Sequence, residues 1–287
     1  FYECTGLTSV TFAENSQLKI IGARAFDGCT NLTSITIPTS VTSIGSYAFY
    51  ECTGLTSVTF AENSQLKIIG ARAFDGCTNL TSITIPTSVT SIGSYAFYEC
   101  TGLTSVTFAE NSQLESIGAN AFDGCTNLTS ITIPTSVTSI GSYAFKECIG
   151  LTSVTIPEKV TSIEGGVFYD CTGLTNITIS EGVTKISNSM FSGATALKSI
   201  TIPKSVTSIG EYAFKNCKAL KNIDLPEELT TINQYAFVQS GLTGVTIPKS
   251  VDFIGIGAFS VCEQLGSVIM ENEIPCNVGP NIFGYEN

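Results

Sequence analysis

Eleven cysteines, with no histidine and no tryptophan, set the chemistry open to this 287-residue chain. Paired thiols form disulfides, clustered thiols hold zinc, and a thiolate beside a base is a nucleophile. The spacing argues against all three. Cys4, Cys29, Cys52, Cys77, Cys100, Cys125, Cys148, Cys171, Cys217 and Cys262 each stand three residues after a recurring phenylalanine. In two further copies the same slot holds Ala194 and Ser240. A slot that accepts Cys, Ala or Ser takes a small buried side chain, not half of an obligatory bridge. There is no C-x-x-C for zinc, and without histidine there is no Ser-His-Asp or Cys-His arrangement. The expectation is free buried thiols, no metal, no cofactor and no enzymatic activity. Cys276 alone lies off the register, and the sequence gives no reading of it.

The recurring phenylalanine runs from Phe1 through Phe26, Phe49 and Phe74 to Phe259 and Phe283, in steps of 22 to 25 residues. A fixed period of this length marks a solenoid, in which each repeat is one coil stacked on the last. The expected fold is a β-rich solenoid of about twelve coils, a right-handed stack of short strands and tight helical turns. At ~4.8 Å per coil the stack would be a rod or arc on the order of 60 Å long.

The coil from Leu32 to Cys52 shows how such a stack is written. Ile35 and Ile37 alternate with Ser34 and Thr36, which is the signature of a strand. Pro38 suits a strand end, since it donates no ladder hydrogen bond. A second extended piece, Val41 to Ile44, stops at Gly45. Ala48-Phe49 and Cys52 then read as a tight helical turn that returns the chain. Leu32, Ile35, Ile37, Val41, Ile44, Ala48, Phe49 and Cys52 are the expected inward residues. One coil cannot offset its backbone ordering cost, so only the array is stable. The phenylalanines are expected to form an offset aromatic ladder.

Residues 1–287 read as one solenoid with three stretches. Residues 1–144 are near-identical 48-residue pairs of coils, one of 25 and one of 23 residues. Residues 145–270 are diverged coils, mostly of 23 residues, and 271–287 form an atypical last coil. Copies this alike suit a spacer or a binding array better than an enzyme, whose site needs unique residues. The chain starts in mid-repeat without Met, a signal peptide or an anchor, and is expected to be a segment of something longer.

No apolar run approaches 18 residues, so no direct membrane insertion is expected. The net charge of −11 repels nucleic acid and anionic lipid, so neither is an expected partner. Acidic residues are spread at roughly one per coil, as on a solvated surface. Lysines thicken late, at Lys198, Lys204, Lys215, Lys218 and Lys221. These read either as a local anion-binding patch or as ordinary surface variation.

Leu32-x-x-Ile35-x-Ile37 matches the core of the leucine-rich repeat. The longer motif I-P-x-S-V-x-x-I-G-x-x-A-F-x-x-C, at Ile37 to Cys52 and again at Ile202 to Cys217, resembles the BspA-like class of that family. The resemblance covers the whole chain. It implies a horseshoe or solenoid on a bacterial or protist cell surface, used in adhesion to host or matrix proteins and in co-aggregation. It supplies no catalytic residues. Ser40, Ser88, Ser136 and Ser205 stand where the general pattern has Asn or Cys, so a different loop hydrogen-bond scheme is expected.

The outward strand positions recur as Ser-x-Thr and diversify late in the chain. The candidate partner-binding face is Ser153, Thr155, Asn176, Thr178, Ser199, Thr201, Asn222, Asp224 and Thr246. The expected partner is a host or matrix protein, or a glycan, on another cell, with end-to-end self-association also open. The expected location is extracellular, at the cell surface. Two alternatives stay open: a rigid stalk presenting another domain, and a Ser/Thr ladder matched to an ice lattice.

Overall fold

The computed structural model describes residues 1–271 and 277–283, in two compact units, Phe1–Leu151 and Thr152–Asn287. Each unit is a stack of parallel coils with the leucine-rich-repeat layout. In the first unit the long strands Ser9–Val10, Ser34–Ile37, Ser57–Phe60, Ser82–Ile85, Ser105–Phe108 and Ser130–Ile131 pair in sequence order as one sheet. The short strands from Ile20–Ile21 to Ser139–Ile140 pair the same way on a second side. In the second unit Ser153–Ile156, Asn176–Ile179 and Ser199–Thr201 form a three-stranded sheet, and Gly244–Ile247 pairs with Ser267–Met270. Between those sheets, Thr201 meets Asp224 through a single bridge. Aspartate is a poor strand residue, and Pro226 follows it closely.

All eight residues expected to face inward do so: Leu32, Ile35, Ile37, Val41, Ile44, Ala48, Phe49 and Cys52 are at most 3% exposed. The phenylalanine ladder is present in both units, with ring centroids 5.0–6.0 Å apart; the planes are 1–3° from parallel at Phe49–Phe74, Phe97–Phe122 and Phe237–Phe259, and tilt by 24° at Phe259–Phe283. At that separation the rings are offset rather than face to face.

The expected helical turns are absent: the described residues contain no helix. The segment around each phenylalanine is instead a third ladder. The N–H groups of Arg24, Phe26 and Gly28 donate to the carbonyls of Ser46, Ala48 and Tyr50 in the next coil, at 2.8–3.0 Å. The intervening N–H groups of Ala25, Asp27 and Cys29 close turns on Gly22, Arg24 and Phe26. Alternate donors thus serve the neighbouring coil and the local turn. The first and last laddered residues take left-handed conformations, as at Arg24 (φ 56°) and Gly28 (φ 70°), or Tyr47 (φ 59°) and Glu51 (φ 50°). Such backbone costs about 1–3 kcal/mol per non-glycine residue, and it persists because the ladder fixes it from both sides.

The two extra residues of the longer coils are absorbed between the long and short strands. Ala61 N–H still reaches the Ile37 carbonyl, and Gln65 N–H reaches that of Thr39. Strand register is therefore unchanged, with Ile44 opposite Ile69 and Ser57 opposite Ser82.

Glycine closes most of the short strands, and at Gly45 and Gly93 the cause is steric. A Cβ on Gly45 would stand 2.6 Å from the Ala23 nitrogen, and one on Gly93 would stand 2.6 Å from the Ala71 nitrogen. The coils meet backbone to backbone there. Gly93→Ala should destabilise by about 1–3 kcal/mol through overpacking. Phe97→Ala should cost about 3–5 kcal/mol by opening a cavity in the ladder. Urea unfolding followed by circular dichroism measures both. An unchanged midpoint for either variant would contradict this packing.

Candidate functional site

Among the described residues no disulfide joins the cysteines; Cys4 is exposed and the others are buried. Their thiols face backbone rather than one another. Cys52 Sγ lies 3.0 Å from the Phe26 carbonyl oxygen, Cys77 Sγ 3.1 Å from that of Phe49, and Cys217 Sγ 3.2 Å from that of Phe191. Each thiol donates to the carbonyl of the phenylalanine one coil back. At Ser240 the hydroxyl meets the Cys262 thiol, 3.2 Å away. Burial pushes the Cys52 thiol up to about 12, and raises those of Cys77 and Cys100 well above their ordinary value. These are protonated hydrogen-bond donors, not nucleophiles. Cys276 lies outside the described residues.

Serine replaces the usual Asn or Cys of the loop as expected, and its hydrogen bonds are explicit. The hydroxyls of Ser40, Ser88, Ser136 and Ser205 donate to the carbonyls of Leu18, Leu66, Leu114 and Val183 at 2.7–2.8 Å. A second hydroxyl row starts the long strands. Thr56, Thr104 and Thr175 each donate at 3.0 Å to the carbonyl of the matching threonine one coil back.

The nine residues of the candidate face are all exposed. Register sets most of them in two columns. Ser153, Asn176 and Ser199 are opposite one another, and so are Thr155, Thr178 and Thr201, with Asp224 bridged to Thr201. Ser199 Oγ donates to Asn176 Oδ1 at 3.1 Å. Asn222, Asp224 and Thr246 line an open groove with Gly244, Ser267 and Ile269. In the first unit the matching groove is lined by Ser57, Thr59, Ser82 and Thr84, residues of the copied coils. Such surfaces offer hydroxyl and amide groups at strand spacing, with a carboxylate at Asp224.

Sequence reasoning missed a third feature, on the turn side of the first unit. The Arg24 guanidinium lies over the Tyr47 ring at 4.5 Å, and that of Arg72 lies over Tyr95 at 4.2 Å. The same arginines bind Asp27 and Asp75 at 2.7 Å. The carboxylates read as solvated are in fact buried, Asp27 and Asp75 at 5% exposure and Asp123 at 3%. The three-residue spacing Arg24 to Asp27 and Arg72 to Asp75 was the available signal.

Burial raises Asp75 to about 6 and outweighs the lowering by Arg72, while Glu99 and Glu51 add to the rise. The native state therefore holds this proton more tightly than the unfolded chain. The stability Asp75 contributes is complete below pH ~4 and is lost as pH rises through about 6. Asp75→Asn should gain about 2 kcal/mol relative to the parent between pH 4 and 7.5. Melting curves of both proteins at several pH values measure this; a constant difference would refute it. Iodoacetamide at pH 8 should modify Cys4 in the native protein and leave the buried described thiols until urea is added. Intact mass counts the adducts, and native modification of Cys52 or Cys100 would contradict their burial.

The model of the BspA type leucine rich repeat region matches residues 1–114, 103–207 and 184–286. Among solved structures, a leucine-rich repeat protein from Eubacterium ventriosum is 25% identical, with a TM-score of 0.54 over 88% of this chain and 81% of that one. A leucine rich repeat protein of T. pallidum is 31% identical, with a TM-score of 0.54 over 62% of this chain and 82% of that one. The pneumococcal vaccine antigen PcpA shares the fold at 23% identity, with a TM-score of 0.55 over 96% of this chain and 78% of that one. Among curated proteins none matches. With its repeats matched from end to end and their layout seen in both units, the chain belongs to the BspA type leucine-rich repeat family.

Proposed function

We propose that this repeat protein is a non-catalytic, cell-surface adhesion module. Its diversified long-strand face, in the second unit, binds a host or matrix protein or a glycan. The observation that carries the reading is the pair of exposed, in-register columns at Ser153, Asn176 and Ser199 and at Thr155, Thr178 and Thr201. None of these hydroxyls or amides is needed in the core. The Ser-x-Thr of the copied coils gives way along these columns at Asn176, and farther on at Asn222 and Asp224. Solenoids present such faces to partners because neighbouring coils hold the side chains at fixed intervals.

A second reading has its own support. Residues 1–48 and 49–96 are identical, and their coils repeat the same ladders. That regularity suits a rigid spacer whose length changes by whole pairs of coils.

The test places bulk and charge on each face. Thr155→Arg, Thr178→Arg and Thr201→Arg together should weaken binding to immobilised matrix proteins, glycans or cells at least ~tenfold, a change of about 1.4 kcal/mol. The same change at Thr36, Thr59 and Thr84 should leave binding intact. Removing residues 49–96 should preserve affinity and shorten reach. Equal binding by both triple variants, or no binding by the parent, would rule out adhesion through this face.

A further inference from the structure

We propose that an anionic polysaccharide docks on the second unit where the turn segment enters the long strand, held by Lys198, Lys218 and Lys221. The inference deepens the binding-face reading and rests on it, because the strip borders Ser199 and Asn222 of that face.

The argument begins with how this scaffold treats charge. Exact stacking sets equivalent side chains of adjacent coils about 4.8 Å apart, where like charges repel. The first unit avoids this by alternation. Arg24 and Arg72 are separated by Tyr47, Asp27 and Asp75 by Tyr50, and Glu51 and Glu99 by Gly76. Lys198 and Lys221 break that pattern. They hold the same position in neighbouring coils, in the register fixed by the Thr201–Asp224 bridge. Both are exposed, as is Lys218, which lies just across the buried Leu220 from Lys221.

The three ammonium groups have no carboxylate partner within ion-pair distance among the described residues. Lys221 Nζ instead donates to Gln264 Oε1 at 2.5 Å, a neutral acceptor two coils on. Like charges also meet on adjacent coils at Glu158 and Glu181, but there the Glu181 carboxylate accepts from the Ser205 backbone N–H at 3.1 Å. Among the described residues Lys198 and Lys218 have no such internal answer, and Lys221 has only the neutral Gln264.

The surroundings select the partner. From Lys185 to Lys221 the chain carries six lysines and a single acid, Glu211, inside a protein of net charge −11. Positive potential is therefore local, ending at the exposed Asp224 on the same face, and suits a ligand whose charges are concentrated on a narrow strand. Beside the lysines run Thr175, Ser199, Asn222 and Thr243, uncharged hydroxyl and amide groups. Sulfate or uronate groups meet the ammonium groups as point charges, and sugar hydroxyls meet the neutral columns.

The probe is a sulfated heparin-type hexasaccharide, titrated against the full chain at low and high salt, with a desulfated, uncharged hexasaccharide as control. The parent should bind the sulfated sugar and not the control. Raising ionic strength to 0.3 M should weaken binding, since these charges are exposed and screened. Lys198→Gln, Lys218→Gln and Lys221→Gln together should lower affinity about tenfold. Gln at Lys215 and Lys249, with circular dichroism as the folding check, should change it little. No binding by the parent, full binding by the triple variant, or equal binding of a glutamate peptide of the same charge would each overturn the inference. If the chain ignores the sulfated sugar yet binds matrix or cells through Thr155, Thr178 and Thr201, this inference fails and the adhesion reading survives. If it binds nothing, both fail.

Discussion

The interval between coils governs this structure. Backbones lying about 4.8 Å apart must satisfy each other's polar groups, since a buried N–H or carbonyl without a partner is costly. Two strand ladders meet that demand on two sides of the coil, and the turn ladder of alternate N–H groups meets it on the third. Much of the side-chain choice follows from the same interval. Gly45 and Gly93 are glycine because the next backbone occupies the space of a Cβ. The cysteine slot is small, and its thiol caps a phenylalanine carbonyl that already accepts from the local turn. Ser40 and Thr56 hydroxyls take loop and strand-entry carbonyls in the same manner.

Hydroxyl groups consequently fall into two populations that composition does not separate. Thr56 and Ser88 are fastenings whose oxygens are turned to the preceding coil. Thr178 and Ser153 stand on the exposed face. Replacing a fastening leaves a carbonyl short of a donor, so it costs stability. Replacing a face residue costs little stability, and the face can diversify while the stack persists.

The phenylalanine period, strand alternation and small cysteine slot were legible in the sequence, because each recurs at fixed phase with apolar neighbours. The turn was not. Ala48-Phe49 and Cys52 have spacing that suits one helical turn, whereas the segment is a laddered ribbon bounded by left-handed Tyr47 and Glu51. Tyrosine and glutamate carry no local mark of that conformation; it is imposed by the neighbouring coil. The buried carboxylates escaped for a similar reason. Asp75 follows the buried Phe74, where a carboxylate would ordinarily turn to solvent; that it stays buried beside Arg72 is visible only in the folded coil. The candidate face was readable as a set of outward positions, but the groove at Asn222, Asp224 and Thr246 depends on how neighbouring strands are placed.

The interval also explains why the copied unit is a pair of coils. A strictly identical 23-residue repeat would stack each charged side chain on its own copy, as in-register fibrils do. Doubling the unit puts a different residue between every two copies and doubles their separation to about 10 Å, near the screening length in physiological salt. Tyr47 between Arg24 and Arg72 turns what would be a repulsive column into one of cation–ring contacts, at 4.5 Å and 6.0 Å. Gly76, next after Glu51, leaves room for that side chain to lie across the neighbouring coil. Duplication in units of 48 residues thus copies a charge arrangement that already tolerates copying. Once coils diverge singly, as they do past Leu151, nothing enforces the alternation. The adjacency of Lys198 and Lys221 is therefore a property of those particular coils, not a by-product of the repeat.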